Sequence, residues 1–139
     1  MTGPMWHGPA LSEVLDGVNH KHAASRPIPA AHSIWELVLH ITSWSDIARD
    51  RLRGEALGDP TPEQDWPPVT ADGPEAWHLA VEGMRESYRM LAADARELTD
   101  DHLDAKVPDL PYSVDTLLHG IVEHGTYHGG QIALLRKAL

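Results

Sequence analysis

The sequence predicts an all-α fold, a four-helix bundle, on three observations. Apolar residues recur at helical spacing in four segments, capping or breaking residues bound those segments, and no stretch alternates with the period of a strand. A chain of 139 residues suits a single domain spanning 1–139, and it is long enough to bury a hydrophobic core.

The first predicted helix runs roughly from Pro9 to Ala24, with Leu11, Leu15, Val18 and His22 on one stripe. Arg26-Pro27-Ile28-Pro29 ends it, because proline cannot continue a helix and restricts the residue before it. The second runs from about Ile34 to Arg53. Ser33 and Glu36 have the spacing of a capping box, each satisfying a free amide near the other. Its stripe is Leu37, His40, Ile41, Trp44, Ile47 and Ala48, and Gly54 is the stop signal.

A proline-rich linker of about 20 residues follows, Gly54 to Gly73. Loops of this length are uncommon in compact domains and are often functional. It has the reach to cross the length of a bundle, which permits the second and third helices to run parallel in an up-down-down-up order. The third helix is expected from about Pro74 to Leu98, with Asp72 as its cap and Trp77, Ala80, Val81, Met84, Tyr88, Leu91 and Ala95 on its stripe. Thr99 to Tyr112 reads as a turn-rich connection. The fourth helix is expected from about Val114 to Ala138, capped by Ser113, with Leu117, Ile121, His124, His128, Ile132 and Leu135 on one face.

Composition narrows the function. With 21 acidic and 11 basic residues the formal charge is −10, which repels phosphate backbones and argues against nucleic-acid binding. No segment approaches the roughly 20 apolar residues of a membrane span. The first residues, Met1 to Trp6, lack the basic region and apolar run of a signal peptide, and the chain has no cysteine. A cytoplasmic protein is the expectation. The absence of cysteine also removes thiolate ligands and a cysteine nucleophile.

Ten histidines are the strongest chemical clue. His124 and His128 stand at i and i+4, so they share one face about a turn apart. Core histidines satisfied by hydrogen bonds are the simpler alternative, but two adjacent buried imidazoles need partners for four ring nitrogens. A metal ion would take one nitrogen from each. His40 lies on the apolar stripe of another helix, so one bundle interior can bring all three together. Three neutral nitrogen ligands leave a coordination position open, as reactive rather than structural sites do.

The spacing does not match the zinc proteases. Glu123 precedes His124 by one step around the helix, and His119 to His124 misses the H-x-x-E-H pattern by one residue. Glu123 is expected to be a surface residue or a partner to a ligand. Four glycines, Gly120, Gly125, Gly129 and Gly130, sit in the fourth helix at roughly 1 kcal/mol each relative to alanine. Close approach of a neighbouring helix or room for a ligand would account for them. His22 is the reserve ligand; His7, His20, His32, His78, His102 and His119 read as surface or cap residues. Arg49 and Arg53 lie beyond His40 on its helix and are candidates to meet a carboxylate, with surface charge as the simpler reading.

Ser33-Ile34-Trp35-Glu36-Leu37-Val38-Leu39-His40-Ile41 with Trp44, and the run from His119 to Ile132, resemble the two signature regions of the DinB/YfiT-like family of metal-dependent enzymes. Arg49 to Gly54 and Asp65-Trp66-Pro67 extend the resemblance over nearly the whole chain. It implies an up-down-down-up four-helix bundle and a divalent metal, commonly zinc or nickel, held by His40, His124 and His128. It also implies a frequent homodimer. Members of the wider superfamily include thiol-dependent isomerases and S-transferases.

The resulting expectation is a metal-dependent enzyme acting on a small-molecule substrate. A metal with an open position activates a bound water for hydrolysis or a low-molecular-weight thiol for S-transfer. Trp66 in the linker would roof the pocket. The alternative is a non-catalytic metal- or small-ligand-binding protein of a stress response.

Overall fold

The computed structural model describes residues 6, 8–55 and 58–139. The readings of residues 1–5 and of His7 fall outside these, as do linker residues 56 and 57. The described residues are all-α: α1 (Leu11–Val14), α2 (His20–Ala24), α3 (Ile34–Leu52), α4 (Pro62–Asp65), α5 (Pro74–Arg96), α6 (Asp100–Asp104) and α7 (Val114–Lys137). An isolated antiparallel bridge, Lys106 to Ser113, ties the connection after α6 to the start of α7.

The first predicted helix is corrected. It breaks after Val14 and restarts at His20. Gly17 adopts φ 78°, a left-handed conformation that glycine takes without a Cβ penalty, and Asn19 caps the second piece by accepting from the His22 amide. Leu11, Leu15 and Val18 are nevertheless buried as the stripe requires. The turn at Leu15–Asn19 preserves the apolar face while abandoning the helix axis. His22 is exposed and takes no part in any histidine cluster, so the reserve ligand is set aside.

The three long helices keep their predicted limits to within two residues. Ser33 and Glu36 form the reciprocal box at the start of α3, and Ser113 accepts from the Thr116 amide at the start of α7. Asp72 does not cap α5. Gly73 takes the cap position at φ 96°, with the Asp72 carboxylate accepting from its amide, and Pro74 opens the helix. Two short helices were not foreseen: α4 in the proline-rich linker, boxed by Thr61 and Gln64, and α6 in the connection before α7.

Cross-links fix the relative direction of the long helices. Asp46 accepts from Ser87, and Arg49 further along α3 reaches Asp94 further along α5, so α3 and α5 run the same way. His40 meets His124 while Arg51 meets Tyr112, so α3 and α7 run in opposite directions. α1 packs on α7, and α2 on α3 and α5.

The core falls into two clusters. One gathers Ile34, Leu37, Val38 and Ile41 with Trp77, Val81, Met84, Ile132 and Leu135. The other gathers Ala48, Leu91, Val107, Leu117 and Ile121. His40, His124 and His128 belong to neither; they lie along α3 and α7 at the seam between the two. Apolar packing on both sides makes a rigid frame for polar groups that face one another.

Candidate metal centre

α3 supplies His40, one turn before Trp44, and α7 supplies His124 and His128 on successive turns. His40 and His128 are buried, 5% and 7% exposed, and His124 is half-buried. His124 Nε2 is 3.0 Å from His40 Nε2 and 3.1 Å from His128 Nε2. Three imidazole nitrogens therefore converge from two antiparallel helices.

Hydrogen bonds on the outer nitrogens fix the tautomers. The Asp65 carbonyl can only accept, so His40 Nδ1 carries a proton and donates to it. Gln131 Oε1 likewise accepts from His128 Nδ1 at 2.7 Å. Both rings then present bare Nε2 lone pairs to His124. That ring has one proton when neutral. Placed on Nε2, it satisfies one neighbour and leaves the other facing a lone pair. Placed on Nδ1, it is buried without a partner and three lone pairs meet. A cation at the point of convergence accepts all three lone pairs, so the donor set fits a divalent metal.

Protonation is disfavoured in the same place. Burial, then the neighbouring His128 and His40, push His124 down to about 4. Burial also lowers His40, partly opposed by its bond to Asp65, and lowers His128, partly opposed by Gln131. Neutral imidazole is the form that ligates metal.

The linker closes over this cluster through backbone and side chain alike. Ser43 Oγ donates to the Gln64 carbonyl, and Trp44 Nε1–H donates to Asp65 Oδ1 at 2.7 Å. The Trp66 ring is sandwiched between His40, 3.8 Å away between centroids, and His32, at 3.6 Å, with both pairs 9° from parallel. Trp66 takes the roofing position expected of it. His32, read as a surface residue from the sequence, is the outer plate of the stack.

The sequence profile of the DinB superfamily matches residues 6–132. The chain belongs to the DinB superfamily. No curated protein and no solved structure matches it. The matched span of this DinB chain contains His40, Asp65, Trp66, His124 and His128 together.

The histidines open into a cavity of about 540 Å³. Its walls include Trp44, Trp66, Tyr112, Leu117 and Tyr127, and its volume lies in the range of small-molecule sites. Gly120 also lines it, and a Cβ there would meet nothing within 4 Å, so this glycine leaves room. Gly125 explains itself differently: a Cβ would come 2.6 Å from Tyr88 Oη, so this glycine makes room for the Tyr88 side chain reaching across from α5. A Cβ on Gly129 would make ordinary contact with Leu11, and Gly130 faces open space. A larger groove of about 900 Å³ lies between α1, α5 and α7. It shares Ile121 with the histidine cavity but has none of the three histidines.

Glu123 is exposed, in keeping with a surface role. Arg49 and Arg53 meet a carboxylate of the protein itself: both pair with Asp94 Oδ2, at 2.9 and 3.1 Å. The residue the sequence reading missed is Arg51, between them. It is 4% exposed and lines the histidine cavity. A signal existed. Arg51 continues the stripe of Leu37, Trp44, Ile47 and Ala48, at i+7 from Trp44 and i+4 from Ile47. No helix among the described residues is long and apolar enough to cross a membrane.

Proposed function

We propose that this DinB-superfamily protein is a divalent-metal-dependent enzyme in which His40, His124 and His128 hold zinc or nickel. Its reaction is S-transfer from a low-molecular-weight thiol to an electrophile, or hydrolysis, on a small-molecule substrate. In this reading α1 and α2 together act as the first member of an up-down-down-up four-helix bundle with α3, α5 and α7.

The observation that carries the reading is the convergence of three Nε2 atoms, two of them committed as lone pairs by the Asp65 carbonyl and Gln131. A bound metal would supply Lewis acidity to a water or thiol near neutral pH. The chain's own residues do the rest. Asp65 and Gln131 set the ring orientations, which strengthens and aligns the donors. Trp66 covers one face of His40 and keeps water from it. Trp44, Leu117 and Tyr127 give the cavity apolar walls for an organic substrate.

A second reading, a metal- or small-ligand-binding protein without turnover, is favoured by the state of Asp65. Among the described residues it is the one carboxylate lining the cavity, and its Oδ1 already accepts from Trp44 and lies 3.5 Å from His40 Nδ1, which ties it to holding the site rather than to proton transfer.

Metal analysis followed by turnover separates the readings. One zinc or nickel per chain, lost in His40→Ala and in His124→Ala, is expected. Retention of metal by both variants would reject the histidine site. The metal-loaded protein is then incubated with several thiols and monochlorobimane, or with ester substrates. Turnover that disappears in the variants supports an enzyme; turnover equal to that of the variants leaves the binding protein.

A further inference from the structure

Arg51 is a buried cation that pairs with no carboxylate among the described residues. Its guanidinium donates to two neutral oxygens, Tyr112 Oη at 3.1 Å and the Gly58 carbonyl at 2.9 Å. Its Nε is closed off from solvent and has no partner. Among the described residues no ion pair involves it, although Arg49 and Arg53, two residues away on either side, both find Asp94. A charge taken out of water without a counter-ion is costly, and its field is weakly screened in an apolar cavity. Proteins usually pair such a group or use it.

The position suggests the use. Arg51 shares the cavity of the three histidines, at its other end. Trp44 stands between them: the Arg51 guanidinium carbon is 5.7 Å from the Trp44 ring, and the Trp44 ring is 5.7 Å from that of His124. The cavity is thus an apolar space with a nitrogen cluster at one end and a fixed cation at the other. A small organic molecule entering it meets both.

We propose that Arg51 anchors a carboxylate of the small molecule bound in this cavity, so that the site selects organic acids over their neutral analogues. The inference rests on the reading of the cavity as a small-molecule site. Among the described residues Arg51 is the sole lysine or arginine lining the cavity, and the one carboxylate there, Asp65, is held by Trp44 and does not pair with it. Each terminal nitrogen keeps one N–H beyond its bond to Tyr112 or Gly58, and these can donate to a carboxylate. With its carboxylate on Arg51, an acid lies along the Trp44 face with its far end toward His124. Arg51 would then be a specificity-determining residue and would not itself touch the reacting atoms.

Binding in the metal-free protein isolates this effect, because no metal is then present to attract the acid. The probes are 3-phenylpropionate and its neutral isostere 3-phenylpropanamide, titrated at pH 7.5 and followed by calorimetry and by the arginine Nε–H resonances. The acid is expected to bind about tenfold or more tightly than the amide, as a charge-assisted hydrogen bond implies. The acid, and not the amide, should move one Nε–H resonance, assigned to Arg51 by its loss in Arg51→Lys. Arg51→Lys should keep a preference for the acid, and Arg51→Gln should abolish it.

A purely structural arginine would change the melting temperature of these variants and leave the acid-to-amide ratio near one in all of them. That ratio in the natural chain needs no variant to fold. Equal binding of acid and amide overturns the proposal, as does absence of acid binding at about 10 mM, well beyond millimolar affinity. The metal reading fails separately. Acid selection without histidine-dependent zinc would reject the metal site and keep Arg51, and histidine-dependent zinc without acid selection would do the reverse.

Discussion

Trp66 lies flat on His40, 3.8 Å between ring centroids and 9° from parallel, although 26 positions separate them in the chain. The contact joins the linker to α3 at a histidine that faces the other two. Stacked aromatic pairs add about 0.5–1.5 kcal/mol beyond burial, and the residue's own apolar area adds more. Trp66→Ala is therefore expected to destabilise the protein by roughly 1–3 kcal/mol in urea unfolding, with Trp66→Phe losing less. If the stack also orients His40, zinc affinity in Trp66→Ala falls about tenfold, as when a group holding a ligand is removed. An unchanged zinc dissociation constant would limit Trp66 to a packing role.

The histidine cluster makes the metal-free protein sensitive to acid. Burial holds His124 at about 4 in the folded chain, against 6.5 in an unperturbed histidine, and lowers His40 and His128 in the same direction. The unfolded chain thus binds protons first as pH falls below 6.5. The stability these neutral rings contribute is complete above that value and is lost as pH falls toward 4. Denaturation midpoints measured from pH 7.5 to 4 should decline, and the decline should be shallower in His124→Asn, which cannot titrate. Equal slopes in the two proteins would show that other groups set the acid limit. Acid should release metal over the same range, since protons and metal compete for the same Nε2 atoms.

The long helices and the histidine pairing were legible because they depend on local periodicity. The Ser33–Glu36 box, the Ser113 cap and the stripes carrying His40 or His124 and His128 are all short-range patterns, and both helices formed where those patterns lie. The break at Gly17 was not legible. One glycine costs roughly 1 kcal/mol in a helix, which neighbouring contacts can outweigh in either direction. Here Trp77 donates to the Val18 carbonyl at 2.8 Å, a contact 59 positions distant that rewards the turn. The Trp66 stack was beyond local patterning for the same reason. Arg51 was missed for another: a charged residue on an apolar stripe looks like the edge of that stripe until the cavity beside it is seen.

Asp65 offers a test of which atom orients His40. Its backbone carbonyl accepts the His40 Nδ1 proton, while its side chain accepts from Trp44 and stands 3.5 Å from the same histidine nitrogen. Asp65→Ala keeps the carbonyl. Zinc affinity should then fall by no more than about tenfold, the lower end of the range for groups that hold a ligand. Trp44 loses its acceptor, so its indole Nε1–H resonance should shift in the same variant. A loss of zinc affinity near a hundredfold with normal folding would assign the orienting role to the carboxylate instead.

Gly125 and Tyr88 provide a prediction away from the metal. The Tyr88 hydroxyl is buried without a hydrogen-bond partner, and burial pushes its ionisation up to about 12, so it stays a neutral O–H. Tyr88→Phe removes an unsatisfied polar group and should be neutral or stabilising by up to about 1 kcal/mol. Gly125→Ala alone gains about 1 kcal/mol of helix propensity, but its Cβ would sit 2.6 Å from Tyr88 Oη. The ring would have to leave its place against the two core clusters, and overpacking of this kind commonly costs about 1–3 kcal/mol. With Phe at 88 the next atom is the ring carbon Cζ, 3.5 Å from that Cβ, an ordinary contact. Gly125→Ala should therefore destabilise the natural chain and stabilise the Tyr88→Phe chain. A double-mutant cycle from urea unfolding should return a coupling of about 1 kcal/mol or more. Additive effects would mean that the Tyr88 ring can turn aside without cost, and Gly125 would then need another explanation.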